Sequence, residues 1–293
     1  MDFSKISSAL LTKLVDSASL DDDTDKKMSF PALQVNNYSP SMTEKIEWCL
    51  SKDSYSVLSD ENKALLKLEK GEGFFGTSSD VCYLIKAPVR FVVLAFPDTR
   101  SYLYDKDSEQ IQLRENVSFT ESSRTICKLF ICVMVNNVLL THEVESEDST
   151  KILPTVFTLK VKSLNIKNWI KGESKDSKDL VEGSLAWLNE QVKKHIKSKK
   201  SVLHCVNMDI TPFPNRFTSQ KTNKASVGVA FRFVNADVNT EGNLDLITTL
   251  LKDEDFLTSL KDPFGLKGLK KQKEISQSTA YVPPVEDDED IPY

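Results

Sequence analysis

The chain has 293 residues, 40% of them hydrophobic and 28% charged, a composition that excludes a low-complexity or peptide-like molecule and leaves room for one large domain or two small ones. The formal net charge is -5, and five acids fall within residues 286–293, so the rest of the chain is neutral. No apolar stretch reaches the roughly 18–20 residues that cross a bilayer as a helix, and no membrane association is expected.

Residues 6–16 place Ile6, Leu10, Leu11, Leu14 and Val15 at helical spacing, and LDDDTDKK follows as a polar linker. Residues 1–29 therefore read as a short helix on a tether, without the continuous apolar core of a signal peptide. From Phe30 to about Thr150 the pattern is β-rich: VCYLIKAPVRFVVLAF is broken at Ala87-Pro88, and TICKLFICVMV repeats the same apolar, β-branched character. Gly71 to Gly76 has the bare G-x-G-x-x-G spacing, but it has no Gly-Lys-Ser/Thr and lies just before the first of these β runs instead of after a strand, so no phosphate loop is marked.

Charge changes with position. Residues 30–150 hold 12 basic and 18 acidic side chains, whereas residues 151–233 hold 16 and 6. In the basic stretch FTLKVKSLNI alternates like a strand, and DLVEGSLAWLNEQVKKHIKSKK reads as an amphipathic helix with a lysine-rich last turn. SVLHCVNMDI and ASVGVAFRFV read as two further strands bracketing a loop, TPFPNRFTSQKTNK. NLDLITTLLKDEDFLTSL reads as one final helix with Leu244, Ile247, Leu250 and Leu251 on a face. Residues 262–285 become a flexible linker and 286–293 an acidic tip. The fold class expected is α+β: a β-rich body over 30–261 with added helices and a disordered C-terminal tail. An oligonucleotide-binding (OB-like) barrel is one architecture that fits the body, and a functional analogue is another.

Cys49, Cys82, Cys127, Cys132 and Cys205 are scattered and never form a C-x-x-C pair, and the three histidines are isolated. Buried free thiols in a reducing compartment are expected, with no structural metal and no cofactor. No G-x-S-x-G, H-E-x-x-H or P-loop occurs, and the chain is read as non-catalytic. A metal-dependent nuclease built from dispersed carboxylates stays open as an alternative.

Residues 211–224 interleave Phe213 and Phe217 with Arg216, Lys221 and Lys224. A single-stranded nucleic-acid site needs that mixture, because rings stack on bases for roughly 1–3 kcal/mol each while cations neutralise phosphates. Trp169 between Lys167 and Lys171, the pair Phe74-Phe75, Lys193 and Lys194 of the lysine-rich helix end, and Arg232 on the following strand complete the candidate set. At any one of these places an aromatic near lysines is more often half-buried than functional; clustering is what favours a site. The lysines of 193–200 equally complement a helix C-terminus.

The last eight residues, EDDEDIPY, resemble the acidic tip of bacterial single-stranded-DNA-binding proteins, in which aspartates precede Ile-Pro-Phe behind a disordered linker. Asp288, Glu289, Asp290, Ile291 and Pro292 carry the likeness, Tyr293 stands where phenylalanine is usual, and Asp287 to Tyr293 is the partner-binding stretch expected. In that family the tip docks onto replication, recombination and repair proteins, which the resemblance implies here. The physics agrees: an apolar pocket can take the ring, and upstream acids can steer towards a basic rim. The expectation is a protein that holds single-stranded DNA and recruits such partners, in the cytoplasm of a bacterium (at the nucleoid) or of a phage-infected cell, with a homo-oligomer compatible. Two alternatives remain: an interaction protein of phage or plasmid origin that mimics the tip without binding DNA, and a DNA-processing enzyme that carries it.

Overall fold

A computed structural model describes residues 30–36, 46–75, 78–95, 102–104, 111–113, 126–146, 149–162, 190, 203–218 and 225–261. The expected helix at 6–16, the expected helix at 180–200 apart from Glu190, the linker and the acidic tip lie outside the described residues.

The chain is β-rich with few helices, an α+β fold built on one large curled sheet. In chain order its strands are β1 (Ala32–Val35), β2 (Trp48–Ser51), β3 (Leu68–Phe75), β4 (Ser78–Ile85), β5 (Val89–Ala95), β8 (Ile126–Val135), β9 (Val138–Leu139), β12 (Val156–Lys162), β13 (Val206–Thr218) and β14 (Ala225–Val238). They lie in the order β14-β13-β5-β8-β12-β1-β2-β4-β3, with β9 turned back on β8. β1 and β12 run parallel, and the other ladders are antiparallel. Two separate hairpins are formed by β6 (Tyr102–Tyr104) with β7 (Ile111–Leu113), and by β10 (Thr141–Ser146) with β11 (Ser149–Pro154).

The period of two along each strand divides the sheet into two faces. Leu33, Val35, Trp48, Leu50, Phe91, Leu129, Ile131, Val133, Phe157, Leu159 and Met208 share one by register. The sheet curls around this face into a half-barrel, so that Trp48 on β2 meets both Phe91 on β5 and Phe231 on β14, at centroid distances of 5.3 and 5.7 Å. The other face carries Phe130, Cys132, Met134, Val156 and Thr158 and is covered by helices. Because both faces are covered, Cys127 to Val135 of β8 is buried throughout apart from Lys128, which explains its nearly continuous apolar run. Two asparagines with positive φ, Asn136 (53°) and Asn137 (64°), turn β8 into β9, as a two-residue hairpin loop requires.

Among the described residues there are four short helices, set by their caps as much as by apolar spacing. Ser51 caps α1 (Lys52–Ser56), Ser59 caps α2 (Asp60–Leu65) and Thr240 caps α3 (Glu241–Leu250), each oxygen accepting from the backbone N–H three residues on. The single helix expected beyond residue 242 is two: α3 ends at Leu250, and α4 (Glu254–Lys261) starts where Asp253 Oδ1 accepts from Phe256 N at 2.9 Å. Phe256 then joins Phe30 and Phe130 in an edge-to-face cluster with centroids 5.7 to 6.1 Å apart, fixing α4 on the sheet. Buried side chains from Leu33 to Phe256 form one contiguous core.

All five cysteines are buried. Burial raises the thiol pKa of Cys49, Cys82 and Cys132, and pushes Cys205 up to about 12, so these sulfurs stay protonated and unreactive.

Candidate nucleic-acid interface

β13 and β14 form a hairpin longer than the rest of the sheet. β13 meets β5 at Met208 opposite Phe91, and since the pairing is antiparallel and β5 begins at Val89, β13 has run past its neighbour by Thr211. The pairing with β14 nonetheless continues to Thr218 opposite Ala225. Residues 211–218, expected as a loop because of Pro212 and Pro214, are therefore strand. The prolines are tolerated because they sit two apart, which turns both nitrogens to the same edge, and that edge has no partner strand among the described residues.

Alternation along this hairpin separates what is packed from what is offered. Met208, Ile210 and Phe231 face the core and are at most 7% exposed. On the opposite face stand Thr211, Phe213, Arg232 and Val234, all exposed. Phe213 lies opposite Ala230, Arg232 lies opposite Thr211, and on that diagonal the Arg232 guanidinium carbon is 5.8 Å from the Phe213 ring centroid. This is cation–π distance, and it holds the ring and the charge side by side on an outward face. The two lie 19 positions apart in the chain, so no sequence window brings them together; the signal lies in the register of two strands around a bracketed segment.

The other candidates fall in three groups. Arg216 and Phe217 occupy the far end of the same strand, in register with Val227 and Ser226. Phe74 and Phe75 end β3 opposite Ser79 and Ser78, at the other edge of the sheet order from β14, so the chain order of the sheet does not join them to Phe213. The glycines before them belong to a strand rather than a loop: a Cβ on Gly71 would lie 2.9 Å from Leu84 Cδ1, so the residue's smallness serves the pairing of β3 with β4. Lys167, Trp169, Lys171, Lys193, Lys194, Lys221, Lys224 and Asp287 to Tyr293 lie outside the described residues.

Sequence reasoning missed the charge at the base of the hairpin. Arg90 on β5 donates from Nη1 to Asp237 Oδ2 at 2.7 Å and to Asn137 Oδ1 at 3.3 Å, with Nε 3.4 Å from Asp209 Oδ1. Two carboxylates absorb this cation, so positive charge available to a ligand begins farther out, at Arg232. Val234, 47% exposed, adds apolar area beside it. Beneath the hairpin, His204 is buried in the 3-10 turn Leu203–Cys205 that leads into β13, and desolvation lowers its pKa to about 4. Its Nε2 and Asn207 Oδ1 have no hydrogen-bond partner among the described residues, while Asn239 Nδ2 donates to the His204 carbonyl at 3.3 Å. Burial therefore keeps this imidazole neutral near pH 7. Among the described residues no group of three or more His, Cys, Asp or Glu side chains could hold a metal ion, and no helix is long and apolar enough to cross a membrane.

No family model, curated protein or solved structure matches this chain.

Proposed function

We propose that this protein binds single-stranded DNA through the outer face of the β13–β14 hairpin, without catalysing a reaction on it, and recruits replication, recombination or repair proteins through residues 287–293. The observation that carries the reading is the Phe213–Arg232 pair: a ring and a guanidinium in contact on an exposed strand face, a unit that can stack a base and neutralise the adjoining phosphate. Phe217 and Arg216 on the same strand, with Lys221 and Lys224 between the strands, extend that composition along the hairpin. A curled, largely antiparallel sheet is also the kind of scaffold on which OB-type barrels carry strands, and an OB-like architecture is the finer form of the proposal.

The acidic tip supports the second half of the reading by its likeness to the tips of bacterial single-stranded-DNA-binding proteins. The experiment is fluorescence anisotropy with labelled oligothymidine at several salt concentrations, together with capture of replication enzymes by the same protein. Salt-sensitive DNA binding, plus capture that is lost when residues 286–293 are deleted, is expected. Capture without DNA binding at low salt would replace this function with that of a tip-bearing interaction protein.

A further inference from the structure

β3 closes one end of the strand order, and among the described residues β4 is its only ladder partner, in an unbroken register from Leu68 opposite Ile85 to Phe75 opposite Ser78. Its outer edge is a row of backbone donors and acceptors that another strand can pair with. Glu69, Lys70 and Glu72 are exposed along it. Charge on an edge strand commonly keeps other strands away, lysine above all. Whether it repels or selects depends on how the charges fall when the strand meets its own copy.

Two copies of one strand pair antiparallel about a two-fold axis, and because side chains alternate, only registers that set residues of like parity opposite each other keep both faces intact. With the axis at Gly71, Lys70 stands opposite Glu72 of the second copy, and Glu72 opposite its Lys70. Leu68 then falls opposite Phe74, Glu69 opposite Gly73, and Gly71 opposite itself, so the axis carries no side chain. Moving the axis by one residue destroys the match. Centred on Lys70, lysine faces lysine and Leu68 faces Glu72; centred on Glu72, acid faces acid and Lys70 faces Phe74.

Opposite charges facing each other across an antiparallel pair stabilise it, and like charges destabilise it. The charge pattern of β3 therefore admits one register and rejects its neighbours. Exposed ion pairs add little net energy, so the backbone ladder supplies the affinity and the charges supply the selection. β14, at the other end of the order, lacks this property: Arg232 and Asp237 have unlike parity, and no two-fold register sets them opposite each other.

We propose that this protein forms a homodimer by antiparallel pairing of β3 with β3 of a second copy, about a two-fold axis at Gly71, with Lys70 and Glu72 exchanging ion pairs across it. The interface uses no residue of β13 or β14, so it stands apart from the DNA-binding reading and leaves that hairpin open.

The test is analytical ultracentrifugation of the full chain without DNA, over a range of protein concentrations. The parent should sediment as a dimer that dissociates on dilution. Lys70→Glu sets acid against acid at both symmetric positions, and Glu72→Lys sets lysine against lysine; each alone should raise the dissociation constant about tenfold or more. Mixing these two variants restores opposite charges at every pair and should give a mixed dimer of near-parental affinity, read with one variant fluorescently labelled. The chain carrying both exchanges merely reverses each pair and should dimerise like the parent; it decides the matter should either single variant fail to fold. A parent that stays monomeric at every concentration would overturn the proposal. So would a dimer that neither single substitution weakens, or weakened variants that recover neither on mixing nor in the double exchange.

Discussion

Trp48 on β2 stacks on Phe231 on β14, with ring planes 16° apart and centroids 5.7 Å apart. Five strands stand between β2 and β14 in the sheet order, so this contact exists only because the sheet curls, and it ties the DNA-binding hairpin proposed here to the far side of the body. Phe231 is 7% exposed, and its loss should cost about 3 kcal/mol as a large-to-small core change. The pairwise part is separable: a double-mutant cycle of Trp48→Ala and Phe231→Ala in urea should give a coupling of about 1 kcal/mol. Strictly additive losses would mean that the curl is held by other contacts.

The two prolines of β13 give a second expectation. Pro212 and Pro214 deny N–H donors to an edge of the hairpin that has no partner strand among the described residues. Replacing both with valine should change stability by less than about 1 kcal/mol while opening that edge to strand addition. Light scattering should therefore show concentration-dependent association of the variant under conditions in which the parent stays dispersed. A fold lost altogether would show that the prolines shape the strand rather than protect it.

His204 sets a pH dependence whose sign follows from burial. Its folded pKa is lowered to about 4, from 6.5 for an unhindered imidazole. As pH falls below about 6.5 the unfolded chain takes up a proton that the folded chain refuses until about pH 4, so stability is full above this window and is lost on descending through it. The slope from this one group approaches about 1.4 kcal/mol per pH unit. His142, whose pKa burial also lowers, adds to the same trend. Urea midpoints at pH 7 and pH 5.5 should differ more for the parent than for His204→Gln. Equal differences would show that the ring is hydrated in solution.

The sequence announced some elements more clearly than others. β8 was legible because burial on both faces leaves a nearly continuous apolar run from Ile126 to Val135, and the break between β4 and β5 was marked by Ala87-Pro88. α1 and α2 were not, since helices of five and six residues are too short to display a period and are declared only by Ser51 and Ser59 at their caps. Asp253 was hidden in the same way: inside a run of helix-compatible residues it reads as surface charge, yet it caps α4. At the candidate site the aromatic and basic composition of 211–224 was visible, but its geometry was misread, because proline suggests a loop wherever the absence of a neighbouring strand cannot be seen. The partnership of Phe213 with Arg232 required the register of β13 on β14.

The central claim is tested most directly by the affinity of oligothymidine for Phe213→Ala and Arg232→Ala, measured by fluorescence anisotropy across a salt series beside the parent protein. Phe213→Ala should weaken binding by about 1–3 kcal/mol with the salt slope unchanged, because it removes stacking and no charge. Arg232→Ala should weaken binding most at low salt and reduce the slope by about 0.7, the loss of one phosphate contact on a single strand. Parental affinity and slope in both variants would contradict the assignment of the β13–β14 hairpin as the DNA-binding face.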